Sequence, residues 1–186
     1  AARQDPTAMT PLTELGRVLS LNDQDLGALS EALAVYTKAV EKQRMVAALA
    51  GRAGVLLKLT DLEVAKAGAD KTKIHAKAMG QYRQAEADAR AALSAMPGVM
   101  ESGAGADGTS LSTFDHLAVA MERQGKLVDS GDATTKGEMA SAEGVLRRSR
   151  AVHSFAYASI TQRLAVVLFV AGKKREAKAE LEGALE

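Results

Sequence analysis

The sequence predicts an all-α protein, and three features carry that expectation. Ala, Leu, Val and Met recur at three- and four-residue spacing along most of the chain, the rhythm of one helix face. Aromatics amount to only 3%, with no Trp, so the core must be built from Ala, Leu, Val and Met, a set that favours helix. Clusters of Val, Ile, Thr and aromatic residues, which would mark strands, are nearly absent. Helix is therefore expected in more than roughly two thirds of the chain.

The 186 residues suffice for one domain of ordinary size, and 47% apolar with 25% charged is a globular composition. Lys plus Arg is 24 and Asp plus Glu 23, a formal charge of +1, which gives no general electrostatic reason to bind nucleic acid. With no Cys, disulfides, thiol catalysis and thiolate metal sites are excluded, while the compartment stays open. The longest strongly apolar run, Leu164 to Ala171, is too short to span a bilayer. No signal peptide is visible, and the start Ala1-Ala2-Arg3 fits a processed mature chain or a fragment equally.

Residues 1–10 are polar, carry Pro6 and are expected to form an extended arm. Helical hairpins should fill 11–98. Pro11 opens the first helix behind Thr10 as N-cap, and Leu12, Leu15, Val18 and Leu19 mark its buried face. Asn22 and Asp23 break it. A second helix starts near Asp25, with Leu26, Leu29, Leu33, Tyr36 and Val40 in register. The apolar pattern continues to about Ala67, as one long helix or two, with Gly51 and Gly54 admitting close approach of another backbone. Thr72 to Met96 is a long Ala-rich helix stopped by Pro97-Gly98. Residues 99–110, rich in Gly, Ser and Asp, are expected to be a flexible linker.

Hairpins resume over 111–186 and are expected to pack on the first half as a single domain. Ser112 or Thr113 caps a helix carrying Phe114, Leu117, Met121 and Leu127, and 129–135 reads as a loop or a helix break. Lys136 to about His153 is helical, with Met139, Ala142, Val145 and Leu146 inward. Ser154 caps a helix to Ala171, and Gly172 separates it from the last helix. The run 165–171 has no polar side, which predicts burial on all faces or cover by a neighbouring subunit.

Small residues and glycines recur within these pairs. Leu164-Ala165-x-x-Leu168, Gly172 and Ala177-x-x-x-Leu181-x-x-Ala184 form the most regular set. Leu15-Gly16-x-x-Leu19 precedes Ala32-x-x-x-Tyr36-x-x-Ala39. Ala53-Gly54-x-x-Leu57 precedes Ala85-x-x-x-Ala89-x-x-Ala92 and Pro97, and Leu117-Ala118-x-x-Met121 precedes Ala142-x-x-x-Leu146. This pattern resembles the tetratricopeptide repeat, in which small residues sit where helices cross closely. Only the last pair keeps that family's spacing between its two motifs, so the architecture is a degenerate stacked array or an irregular helical bundle.

The resemblance implies a protein or peptide partner on a concave face that would include Arg17, Lys58, Arg123, Gln162, Val166 and Phe169. The positions that hold a terminal carboxylate in one subset of the family are Thr13, Gly51, Asp115 and Gln162 here, which does not support binding of chaperone tails. Arg147, Arg148 and Arg150, with Lys173, Lys174 and Arg175, form two basic clusters that read as a solvated face or as a patch for an acidic partner, a membrane surface or RNA, the last weakened by the lack of interleaved aromatics. His75, His116 and His153 lack helical metal-ligand spacing, and no Gly-x-Ser-x-Gly elbow occurs. The expectation is a non-enzymatic interaction scaffold or a subunit of a larger assembly, with no cofactor and no metal. A crescent-shaped module in peripheral contact with a membrane, or a helical-bundle carrier, stands as the alternative.

Overall fold

The computed structural model describes residues 11–43, 45–67, 71–127 and 133–184. The fold is all-α, and among the described residues there is no strand. The helices are α1 (Pro11–Leu19), α2 (Leu26–Lys42), α3 (Val46–Lys66), α4 (Lys71–Ser94), α5 (Pro97–Ser102), α6 (Gly108–Leu127), α7 (Ala133–Val152), α8 (Tyr157–Val170) and α9 (Lys174–Glu182). They fall into two compact units, residues 1–97 and 98–186. The expected arm over 1–10, its Thr10 cap and the 129–132 part of the expected loop lie outside the described residues. No described helix is long and apolar enough to cross a membrane.

In the first unit, α1 packs on α2, α2 on α3 and α3 on α4. Asp25 caps α2 as expected, its carboxylate accepting from the amides of Gly27 at 2.7 Å and Ala28 at 3.3 Å. Residues 25–67 are two helices, because Gln43 and Met45 are both extended. α3 and α4 run antiparallel, since Glu63 meets Lys77, Asp61 meets Tyr82 and Arg52 meets Asp88. Their contact is close because α4 turns Ala78, Ala85, Ala89 and Ala92 inward, all fully buried.

The face expected for α1 is rotated. Thr13 and Gly16 are its buried residues, while Leu15 and Val18 are about half exposed. The cause is Tyr36. A methyl group built on Gly16 would stand 2.8 Å from the Tyr36 ring, and one on Gly51 of α3 only 2.3 Å. The ring is wedged between two helices at places where only glycine leaves room. Gly51 thus admits a side chain where the approach of another backbone was expected.

In the second unit, α6 packs on α7, α7 on α8 and α8 on α9. Pro97-Gly98 ends the preceding helix but also opens α5, consistent with proline's place in a first turn. The expected linker over 99–110 carries helix at both ends and a tied turn between them. Asp107 and Ser110 form a reciprocal cap: the Ser110 amide donates to the Asp107 carboxylate at 2.8 Å, and the Asp107 amide donates to the Ser110 hydroxyl at 2.9 Å. α6 therefore starts at Gly108, ahead of the expected caps Ser112 and Thr113. Residues 154–156 make a single 3₁₀ turn and α8 begins at Tyr157, with no side-chain cap from Ser154.

Gly172 closes α8 as expected. It adopts φ of +81°, and the Lys173 amide donates back to the Leu168 carbonyl at 2.9 Å. Ala165 and Ala177, the small residues on either side of this turn, are both buried.

Candidate functional site

Among the described residues of the second unit, α8 carries the largest group of exposed apolar side chains. Ile160, Leu164, Val167 and Leu168 are buried, whereas Val166, Phe169 and Val170 are 45%, 58% and 43% exposed. The run is therefore not buried on all faces within the chain, which corrects that alternative of the expectation. Gln162, Val166 and Phe169 are spaced four and three apart, so they share one face, and all three are exposed. The Lys174 ammonium lies 5.6 Å from the centre of the Phe169 ring. Val170, at the end of the same exposed run, was not singled out in the sequence because its whole neighbourhood is apolar.

Of the other residues implied by the repeat resemblance, Arg17 and Lys58 lie in the first unit and Arg123 on α6 of the second. In the first unit, the Arg17 guanidinium forms a two-pronged pair with Glu14 on its own helix, at 2.6 and 3.0 Å. That contact holds the Glu14 carboxyl below its usual range. Lys58 reaches the Ser20 carbonyl at 3.2 Å and so ties α3 to the turn after α1. Arg123, in the second unit, stands 3.6 Å from the buried Glu122 carboxylate, which Arg163 also approaches at 3.4 Å. Leu15, Val18 and Leu21 give the first unit an exposed apolar strip of its own.

Three of the six basic-patch residues, Arg147, Arg150 and Lys173, meet carboxylates. Glu143 accepts from Arg147 at 2.9 Å and from Lys173 at 2.7 Å. Glu180 accepts from Arg147 at 2.8 Å and from Arg150. Arg147 and Arg150 keep contact with water while making these pairs. Arg148 donates to the Met100 carbonyl, whereas Lys174 and Arg175 pair with no described carboxylate. Hydrogen bonds from Lys173 and, secondarily, Arg147 hold the Glu143 carboxyl below its usual range. Arg150, then Arg147, does the same for Glu180. The two carboxylates lie roughly thirty residues from the cations they meet on the partner helix, and no local sequence signal announces that pairing.

A further polar cluster is interior. His153, at the end of α7, is fully buried, with Nδ1 at 3.0 Å from the Ser149 carbonyl and Nε2 at 2.8 Å from the Ser110 hydroxyl. A carbonyl only accepts, so Nδ1 carries a proton. Phe114 and Phe155 meet the imidazole edge-on, at ring-centre distances of 5.5 and 5.7 Å. Ser110 and His153 have nucleophile-and-base spacing, but both are sealed from solvent, and Ser110 is engaged in the α6 cap. The pair cross-ties the start of α6 to the end of α7.

A cleft of about 340 Å³ lies between α6, α7 and α8, with Leu111, Leu146 and Ile160 on its walls and Asp115 and Arg163 at its rim. Asp115 and Arg163 approach each other at 3.2 Å, which neutralises the only charges lining it. Among the described residues no group of three or more His, Asp or Glu is placed to hold a metal ion. No known protein family, curated protein or solved structure matches this chain.

Proposed function

We propose that the chain is a non-enzymatic helical interaction subunit that engages another protein through the outward face of α8. The observation behind this reading is the exposure of Val166, Phe169 and Val170 side by side on a helix whose opposite side is core. Apolar side chains grouped in this way lose favourable free energy to water unless something covers them. An α-helical partner laid along α8 would meet Gln162, Val166 and Phe169 as successive anchors. The all-helical fold is compatible with a scaffold of this kind.

The direct test is photo-crosslinking from position 169, with a benzophenone amino acid in place of Phe169 in the source cell. A discrete protein adduct, lost when Val166→Ser is added, is the expected result. An adduct pattern indistinguishable from that of a probe placed at exposed Ser141 would overturn the reading.

A further inference from the structure

α9 is a helix with little of its own to hold it in place. It has nine residues, and peptides of that length are marginal helices in water. Ala177 is its single buried residue, and Leu181 on the next turn is 45% exposed. Lys173 stands at the N-cap without a side-chain cap bond, and Lys174 and Arg175 bring positive charge to the positive end of the helix dipole. Glu176 opposes this only in part.

α9 packs on α8 through Ala177 and is tied in addition to α7 by a chain of alternating charges. Lys173, just ahead of α9, meets Glu143; Glu143 meets Arg147; Arg147 meets Glu180 of α9; and Glu180 also takes Arg150. Glu143, Arg147 and Arg150 are spaced four and three apart, so they form one stripe of α7. The stripe grips α9 at its entry and again near its end. All of these charged side chains keep contact with water, Arg147 at 40% and Lys173 at 42% exposure. Salt weakens such pairs, while it leaves the burial of Leu164, Val167 and Leu168 in α8 intact.

We propose that α9 is an ionic latch: a helix docked on α7 and α8 by the Glu143–Arg147–Glu180–Arg150–Lys173 network, which comes off as a unit when those pairs are screened while α7 and α8 stay folded. Release uncovers the part of α8 that α9 packs against. If α8 engages a partner, a point that rests on the reading above, release widens the available surface. The latch itself needs no partner to be observed.

Amide hydrogen exchange on the full chain at fixed neutral pH tests it, comparing about 0.05 M and about 1 M sodium chloride. At low salt 174–182 is protected; at high salt it exchanges about tenfold faster while 160–170 is unchanged. Glu180→Gln speeds exchange of 174–182 at low salt by part of that factor and shrinks the salt response, since the Lys173–Glu143 pair is left in place. Lys178→Gln, which breaks only the pair between Lys178 and Glu182 within α9, leaves the wild-type pattern. Protection of 174–182 that ignores salt, its absence at low salt, joint loss with 160–170, or an equal effect of Lys178→Gln would each overturn the latch. Should Glu180→Gln disturb the fold, shown by loss of protection in 160–170, the salt comparison on the unaltered chain still decides.

Discussion

The α3–α4 and α8–α9 hairpins share a plan, two helices joined by a short connection, but they are held by different forces. α3 buries Val46, Leu49, Val55, Leu56, Leu57 and Leu59 along with its small residues, and α4 answers with four buried alanines. Their ion pair is interior as well: Arg52 grips Asp88 with two nitrogens at 2.7 and 2.8 Å, and the two side chains are 16% and 3% exposed. α9 presents one alanine and a set of wet charges. An ion pair's contribution is expected to follow its burial more than its length. The Arg52–Asp88 and Arg147–Glu180 distances are nearly equal. Losing a partner in the dry pair strands a charge, whereas water replaces a lost partner in the wet one.

The sharpest way to break the comparison is Arg52→Ala. It leaves the Asp88 carboxylate buried with only the Gln84 amide, 3.0 Å away, to donate to it. A loss of about 3 kcal/mol is expected in urea or guanidinium unfolding. Gly51→Ala follows at about 2 kcal/mol, because its methyl would fall inside the Tyr36 ring's contact distance and a ring wedged between α1 and α3 has little room to retreat. Tyr36→Leu added to Gly51→Ala should recover part of that loss. A double mutant that is merely additive would mean the ring and the glycine are independent, and the wedge would be wrong.

These same residues show what was legible in the sequence. Helical period, the Asp25 cap and the Gly172 turn are local signals, and each appears where its spacing put it. The α1 face was misread because the pattern ranks residues by greasiness, while the site selected by size. Tyr36 needed Gly16 beneath it, so Leu15 and Val18 were turned outward. The Asp107–Ser110 cap was present in the sequence but hidden among glycines that suggested a linker. The Glu143–Arg147 pair is an i,i+4 pair that the sequence offers locally, but neither the pairing of Glu180 with Arg147 and Arg150 nor the burial of His153 against Ser110 could be read that way. Both depend on residues about 30 to 43 positions apart meeting in space. Val166 and Phe169 were marked as contact residues by the repeat resemblance, whereas their run alone pointed to burial.

At the weak end of the comparison, Glu180→Gln should cost no more than about 1 kcal/mol, since its pairs are part-exposed and screened. Acid probes the same pairs. The Glu143 and Glu180 carboxyls are held below their usual range by the cations beside them. Their contribution is therefore fully present above the ordinary carboxylate pKa of the unfolded chain. It is lost as pH falls through the depressed folded values. Amide exchange at 174–182 should accelerate across that acid window, beyond its intrinsic pH dependence, before 160–170 responds. Acceleration on raising pH from neutral would have the wrong sign for this pair of carboxylates.

The smallest expected effect on stability is at Phe169. Its ring is 58% exposed, touched by the Lys174 ammonium, and α8 keeps its core through Leu164, Val167 and Leu168. Phe169→Ser should shift the unfolding free energy by no more than about 0.5 kcal/mol, the scale of ordinary surface substitutions. Binding should respond in the opposite proportion, because an aromatic ring at the middle of a contact is the residue type whose truncation costs most. Arg52→Ala and Phe169→Ser then form a crossed pair: the first lowers the melting temperature and leaves the α8 crosslink intact at low temperature, and the second removes the crosslink at an unchanged melting temperature. A Phe169→Ser protein as unstable as Arg52→Ala would place the ring in the core and end its reading as a contact surface.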